Sequence, residues 1–142
     1  MFRIDIIRRA ALAAALSALA ACGGDVDLTD DERPADEIYA EGERLVAEGD
    51  YFEAAQRFDD VERLYPYSPL ARDAVLNAAR AYYQGRDLTE ARLAAGRFLD
   101  FYPNDPDAAE AQYIVALSYY DLISDVGRDQ RDTREALSAM RE

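Results

Sequence analysis

The chain has no histidine and a single cysteine, Cys22. These two absences remove Cys/His zinc sites and every Ser-His-Asp arrangement. With one cysteine there is no intramolecular disulfide either. Basic residues are outnumbered, 16 against 29 acidic, for a net charge of −13. A surface of that sign repels nucleic acid and anionic headgroups, so no nucleic-acid partner is expected. Long apolar runs are missing too. The longest, Ala10 to Ala20, is broken by Ser17 and is too short for a membrane span, which needs roughly 20 apolar residues. Carboxylates are plentiful but follow solvated helix faces. No catalytic residue, no metal site and no cofactor is expected, and the chain does not read as an enzyme.

What is present begins at the N-terminus. Arg3, Arg8 and Arg9 form a basic region, Ala10 to Ala20 an apolar one, and Leu19-Ala20-Ala21-Cys22 closes it. This order is a lipoprotein signal, a secretory pattern whose cleavage exposes a cysteine for acylation. The expectation is a signal peptide over 1–21 and a mature chain beginning at a lipidated Cys22, palmitate among its acyl chains. Each buried methylene contributes about 0.8 kcal/mol, so several chains anchor firmly where one does not. Removing three Arg and one Asp takes the net charge from −13 to −15. Gly23, not aspartate, follows the cysteine. The expected location is the outer membrane, periplasmic face, held by the lipid. Residues 22–34 are acidic with little apolar content, and read as a disordered tether. Asp25, Asp27, Asp30, Asp31 and Glu32 do not have the spacing of a calcium loop.

From Ala35 onward the chain repeats. Tyr65-Pro66-Tyr67-Ser68-Pro69 recurs as Tyr102-Pro103-Asn104-Asp105-Pro106, Asp50 to Ala54 as Asp87 to Ala91, and Ala81-Tyr82-Tyr83 as Ser118-Tyr119-Tyr120, each displaced by 37. Such a period means stacked helical hairpins. Small residues (Gly42, Ala54; Ala79, Ala91) alternate with large ones (Phe58, Val61; Tyr82, Phe98) before a closing Pro66 or Pro103. This arrangement resembles the tetratricopeptide repeat, whose unit is about 34 residues. The predicted fold is all-α, a tetratricopeptide-repeat superhelix of stacked antiparallel helix pairs. A repeat domain is expected over 35–142, with repeats near 35–69, 70–106 and 107–142, the last incomplete. Helices are predicted near 36–48, 51–64, 70–84, 88–101 and 107–122, with a last one from Arg131. Breaks fall at Gly49-Asp50 and Gly85-Arg86-Asp87, and prolines stop and restart helices because they lack the N–H that a helix interior needs. About eight extra residues interrupt the third repeat around 122–130. No polar capping helix follows the last repeat, which suggests a fragment or truncated product.

In a tetratricopeptide stack the first helix of each hairpin lines the inner face. That register makes Asp36, Tyr39, Glu43, Val46, Asp73, Leu76, Arg80, Tyr83, Glu110, Tyr113, Leu117 and Tyr120 groove candidates. Tyrosine suits a peptide surface because it joins apolar area to a hydrogen-bonding tip. Inter-repeat packing is the competing reading of the same residues. Tyr51, Tyr82 and Tyr119 occupy hairpin-core positions. Arg80 is the groove's lone cation, placed either to meet the terminal carboxylate of an extended, aromatic-ended peptide or to pair internally with Asp73 or Glu43. The 124–130 insertion offers Asp125, Arg128 and Asp129 as partner contacts, or is a plain polar loop.

The chain resembles the BamD (ComL) family. The resemblance lies in the lipobox, Gly49 to Ala55, Tyr65 to Ser68, Ala81 to Tyr83, Arg97 to Pro103, and Ser118 to Gln130 with its insertion. It implies an interaction scaffold in assembling and inserting β-barrel proteins into the outer membrane. The implied partners are BamA, other subunits of the assembly machinery, unfolded outer-membrane proteins, and the membrane through the lipid. Family members have five repeats, so the resemblance covers their N-terminal part. The alternative is a periplasmic repeat scaffold coordinating envelope constriction or peptidoglycan synthesis.

Overall fold

The computed structural model describes residues 33–123 and 130–141. The signal peptide, Cys22, nearly all of the tether, and Asp125, Arg128 and Asp129 lie outside the described residues. Within them are six α-helices and no strand: α1 (Ala35–Glu48), α2 (Tyr51–Leu64), α3 (Ala71–Gln84), α4 (Leu88–Phe101), α5 (Ala108–Asp121) and α6 (Arg131–Ala139). Each helix packs against the next, and α3 also packs against α5. This is an all-α stack of helix pairs of the tetratricopeptide type.

The apolar periodicity dictates the faces. In α1 the buried residues are Ile38, Gly42 and Leu45, and in α2 they are Ala54, Ala55, Phe58 and Val61. Spacings of three and four put each set on one helical stripe. Phe58 and Phe98 are the largest fully buried side chains, each contributing roughly 1.5–3 kcal/mol relative to exposure. The alanines at 54, 55, 78, 79, 91, 94 and 95 are buried and let the helices approach closely. Ser118 is the buried polar residue of the described core, and its hydroxyl donates to the Ile114 carbonyl at 2.8 Å.

The connections repeat in kind. At the end of α1, Gly49 is left-handed (φ 87°), its N–H donates to the Val46 carbonyl, and the Asp50 N–H donates back to Leu45 at 3.0 Å. At the end of α3 the same closure is made by Arg86 (φ 65°), with the Asp87 N–H donating to Tyr82 at 2.9 Å. Both are Schellman-type stops. The left-handed residue is therefore Arg86, not its neighbour Gly85, whose φ is −72°. Gly85 serves proximity instead, since a Cβ there would lie 3.3 Å from Tyr51 Cβ. Between hairpins, the Ser68 hydroxyl accepts from the Leu70 N–H at 3.2 Å and the Asp105 carboxylate from the Asp107 N–H at 2.9 Å. These are the same side-chain turn at positions 37 apart.

Candidate functional site

The groove candidates are carried by α1, α3 and α5. Glu43, Val46 and Arg80 line one cavity of 310 Å³ together with Phe58, Asn77, Ala81 and Gln84. Across it runs a hydrogen-bond chain. Asn77 Nδ2 donates to the Tyr39 hydroxyl at 2.7 Å, and Arg80 Nη1 donates to Asn77 Oδ1 at 2.7 Å. Arg80 Nε and Nη2 each donate to one Glu110 oxygen at 2.6 Å. The chain joins α1, α3 and α5, and its direction is set because the guanidinium only donates. Hydrogen bonding to Glu110 holds the Arg80 pKa above its usual range, and hydrogen bonding to Arg80 holds the Glu110 carboxyl below its own. Burial, with Asp73 and Glu43 nearby, raises the Tyr39 hydroxyl.

Arg80 is thus paired internally, but with neither Asp73 nor Glu43. Its partner sits on the next hairpin, where stacking brings α5 beside α3. Asp73 instead accepts from Arg72 Nη1 at 2.5 Å. Leu76 is buried at 1% exposure and packs in the core, so its side chain presents no surface to a ligand. Tyr39, Val46 and Tyr83 are half-buried and packed on the core. The Tyr39 ring lies edge-on to Phe58 with centroids 5.3 Å apart. The Tyr83 hydroxyl donates to Asp121 at 3.0 Å, and burial followed by that carboxylate raises its pKa. Asp36 and Glu43 are exposed, and Leu117 is half-buried. Tyr113 and Tyr120 are the open tyrosines of the set, 60% and 57% exposed. Tyr113 lines a second cleft with Gln112, Ala116 and Met140.

The three hairpin-core tyrosines behave differently. Tyr82 is buried, stacks edge-on to Phe52, and donates its hydroxyl to Asp59 at 2.7 Å. Burial and that carboxylate push its pKa up. Tyr51 and Tyr119 are half-buried, and the Arg92 guanidinium lies 4.5 Å from the Tyr119 ring centroid.

Sequence reasoning missed Asn77, the hinge of the polar chain. The available signal was a single amide within the otherwise apolar run Ala74 to Ala79. It also missed a cleft of 710 Å³ bounded by Asp59, Glu62, Tyr67, Val75, Arg97 and Phe101 among others. Tyr67 is 99% exposed there and Phe101 64%. Its signal was the aromatic-proline pairs Tyr65-Pro66 and Tyr102-Pro103, which the sequence shows as repeat anchors and helix stops. At its rim Arg97 donates to Asp59 at 2.6 Å and to Glu62 at 3.1 Å. Arg72 makes a third crossing between hairpins, donating to Asp105 and, at 2.6 Å, to Asp107. Every one of the chain's 16 basic residues is arginine, whose planar fork suits such two-point pairing.

Among the described residues no cluster of His, Cys, Asp or Glu is placed to hold a metal, and no helix is long and apolar enough to cross a membrane.

Residues 31–142 match the protein-family model YfiO, described as an outer membrane lipoprotein. A Caulobacter vibrioides protein named outer membrane protein assembly factor BamD is 37% identical over 129 residues, covering 89% of this chain and 42% of the relative. Proteins of the same name from Pasteurella multocida and Rickettsia prowazekii are 32% and 33% identical. They are covered to 47% and 46% of their length, by 85% and 81% of this chain. The chain spans a little under half the length of these curated relatives.

Proposed function

This chain belongs to the YfiO family of outer-membrane lipoproteins, and from that premise we propose that it is a non-enzymatic scaffold in outer-membrane β-barrel assembly. In this reading residues 1–21 are a signal peptide and Cys22 carries the acyl chains. Residues 22–34 tether the repeat domain of 35–142 to the periplasmic face of the outer membrane. The groove of α1, α3 and α5 receives extended segments of unfolded outer-membrane proteins. BamA and the other subunits of the assembly machinery are the stable partners, and the 124–130 loop, with Asp125, Arg128 and Asp129, is a partner contact.

The observation that carries the reading is the family match across the whole described domain, together with relatives named as assembly factors. The groove adds physical support. Tyr39, Tyr113 and Tyr120 offer apolar area with polar tips, a composition that holds many extended sequences without demanding one. The strong net negative charge keeps the domain off anionic headgroups while the lipid keeps it nearby.

The test is capture of the lipidated chain from detergent-solubilised outer membranes, combined with a photo-crosslinker at Glu43. The expected result is co-purification of an identified large β-barrel subunit and adducts between position 43 and a urea-unfolded barrel protein. Recovery of neither overturns the proposal.

A further inference from the structure

We infer that Glu110 is a built-in occupant of the Arg80 guanidinium, so that the groove accepts internal segments of an unfolded chain and turns away free carboxylate ends. The inference rests on the groove reading above and deepens it by naming what the groove selects.

The geometry is that of a filled anion site. Both Glu110 oxygens meet Arg80 in a two-point fork at 2.6 Å, on Nε and Nη2, and Nη1 is held by Asn77 at 2.7 Å. A peptide carboxylate would seek the same fork, since paired N–H donors match paired oxygens. Arg80 and Glu110 are 39% and 42% exposed at their side chains, so an arriving ligand reaches the pair without opening the core.

Charge decides which ligand is accepted. Glu43 lines the same cavity, Asp73 and Glu43 act on Tyr39, and Asp107 acts with Glu110 on Arg80. Glu110 already neutralises the guanidinium, and Glu43 and Asp107 add carboxylates nearby, Asp107 with Arg72 as its own partner. A free carboxylate entering this field is repelled, and to reach Arg80 it must displace Glu110 and leave that carboxylate among like charges. A peptide that continues as an amide carries no such charge. Its carbonyls find a donor in the Tyr39 hydroxyl, which accepts from Asn77 and, among the described residues, donates to no acceptor.

The experiment uses the full chain and one aromatic-ended barrel-strand peptide in two forms, free acid and C-terminal amide. The unmodified protein is expected to bind the amide at least as tightly as the acid. Glu110→Gln keeps the side-chain shape but removes the charge and one of the two acceptor oxygens of the fork, and should improve the acid about tenfold relative to the amide. Adding Arg80→Ala to Glu110→Gln should abolish that gain. The inference is overturned if the unmodified protein already prefers the acid about tenfold, or if Glu110→Gln leaves the acid-to-amide ratio unchanged. A second readout does not depend on peptide affinity. The Arg80 Nε–H NMR resonance should move on adding N-acetylphenylalanine in Glu110→Gln and stay in place in the unmodified protein, and equal movement in both overturns it. If neither peptide binds any of these proteins, the groove reading fails and this inference falls with it; binding without altered selectivity sinks the inference alone.

Discussion

Gly42 is where the Phe58 ring needs a missing side chain. A Cβ at position 42 would lie 2.8 Å from Phe58 Cε1 and 2.9 Å from Cζ. The ring is buried at 1% exposure and stands against Tyr39, so it has little room to retreat. One hairpin later the equivalent positions hold Ala79 and Ala95, a pair with a smaller large member and a larger small one. The crossing of α1 and α2 is thus built around one residue's absence of bulk. Gly42→Ala should cost about 1–3 kcal/mol by overpacking, read as a lowered midpoint in urea unfolding. An unchanged midpoint would show that Phe58 moves freely.

Ala54 and Ala91, both at 0% exposure, sit at repeat-equivalent helix crossings. Enlarging either to Leu should destabilise by about 1–3 kcal/mol. Thermal unfolding of both variants checks this, and no loss in either would count against the 37-residue register.

Gly49 and Arg86 occupy the same left-handed stop, one without a Cβ and one with it. Gly49→Ala should lower stability by about 1–2 kcal/mol, the usual cost of placing a Cβ at positive φ. Arg86→Gly should not lower it. The variant loses an exposed ion pair to Asp121, of the kind that contributes about 0.2–1 kcal/mol, and relieves the strained backbone. Equal destabilisation by both substitutions in chemical denaturation would contradict this assignment.

Glu110 and Asp105 have carboxyls held below their ordinary range, by hydrogen bonds from Arg80 and Arg72 respectively. A carboxyl that is more acidic folded than unfolded contributes stability fully present above the unfolded pKa, about 4.3 for Glu. That contribution is lost as pH falls through the folded value. The Tm gap between the unmodified chain and Glu110→Gln should therefore be widest near neutral pH and narrow as the pH is taken below about 4. A gap that stays constant or widens with acid would dissociate Glu110 from Arg80.

On the lipid anchor proposed above, Cys22→Ala should release the protein from membranes into the soluble periplasmic fraction. Fractionation after a high-salt wash decides it. Quantitative sedimentation of the variant with membranes would remove the anchor from the account.

Helix boundaries were legible to within a residue or so because Pro66, Pro103, Gly49 and the Gly85 triplet punctuate a clear apolar rhythm. Proline and glycine act through local backbone chemistry, which sequence displays directly. The groove was less legible. Leu76 shares its register with Tyr39 and Tyr113, yet it is buried because α3 has hairpins on both sides, a difference of neighbours rather than of pattern. Arg80 found Glu110 instead of Asp73 or Glu43 because the pairing depends on how one hairpin stacks on the next. Nothing in the spacing of 73, 80 and 110 states that distance. The break at Gly85-Arg86-Asp87 was legible as a break, but which of its residues turns left-handed depends on the closing hydrogen bonds, and it is Arg86.

The middle helix has a consequence for how the domain opens. In α3, Ala71, Ala74, Val75, Leu76, Ala78, Ala79, Ala81 and Tyr82 are all buried, and the helix touches α2, α4 and α5 while Asn77 reaches α1. A linear array ordinarily frays from either end, one unit at a time. Here every other described helix pair leans on a central element that cannot come apart until both sides have let go. Its amide hydrogens should therefore exchange with solvent last, at a rate set by global rather than local opening.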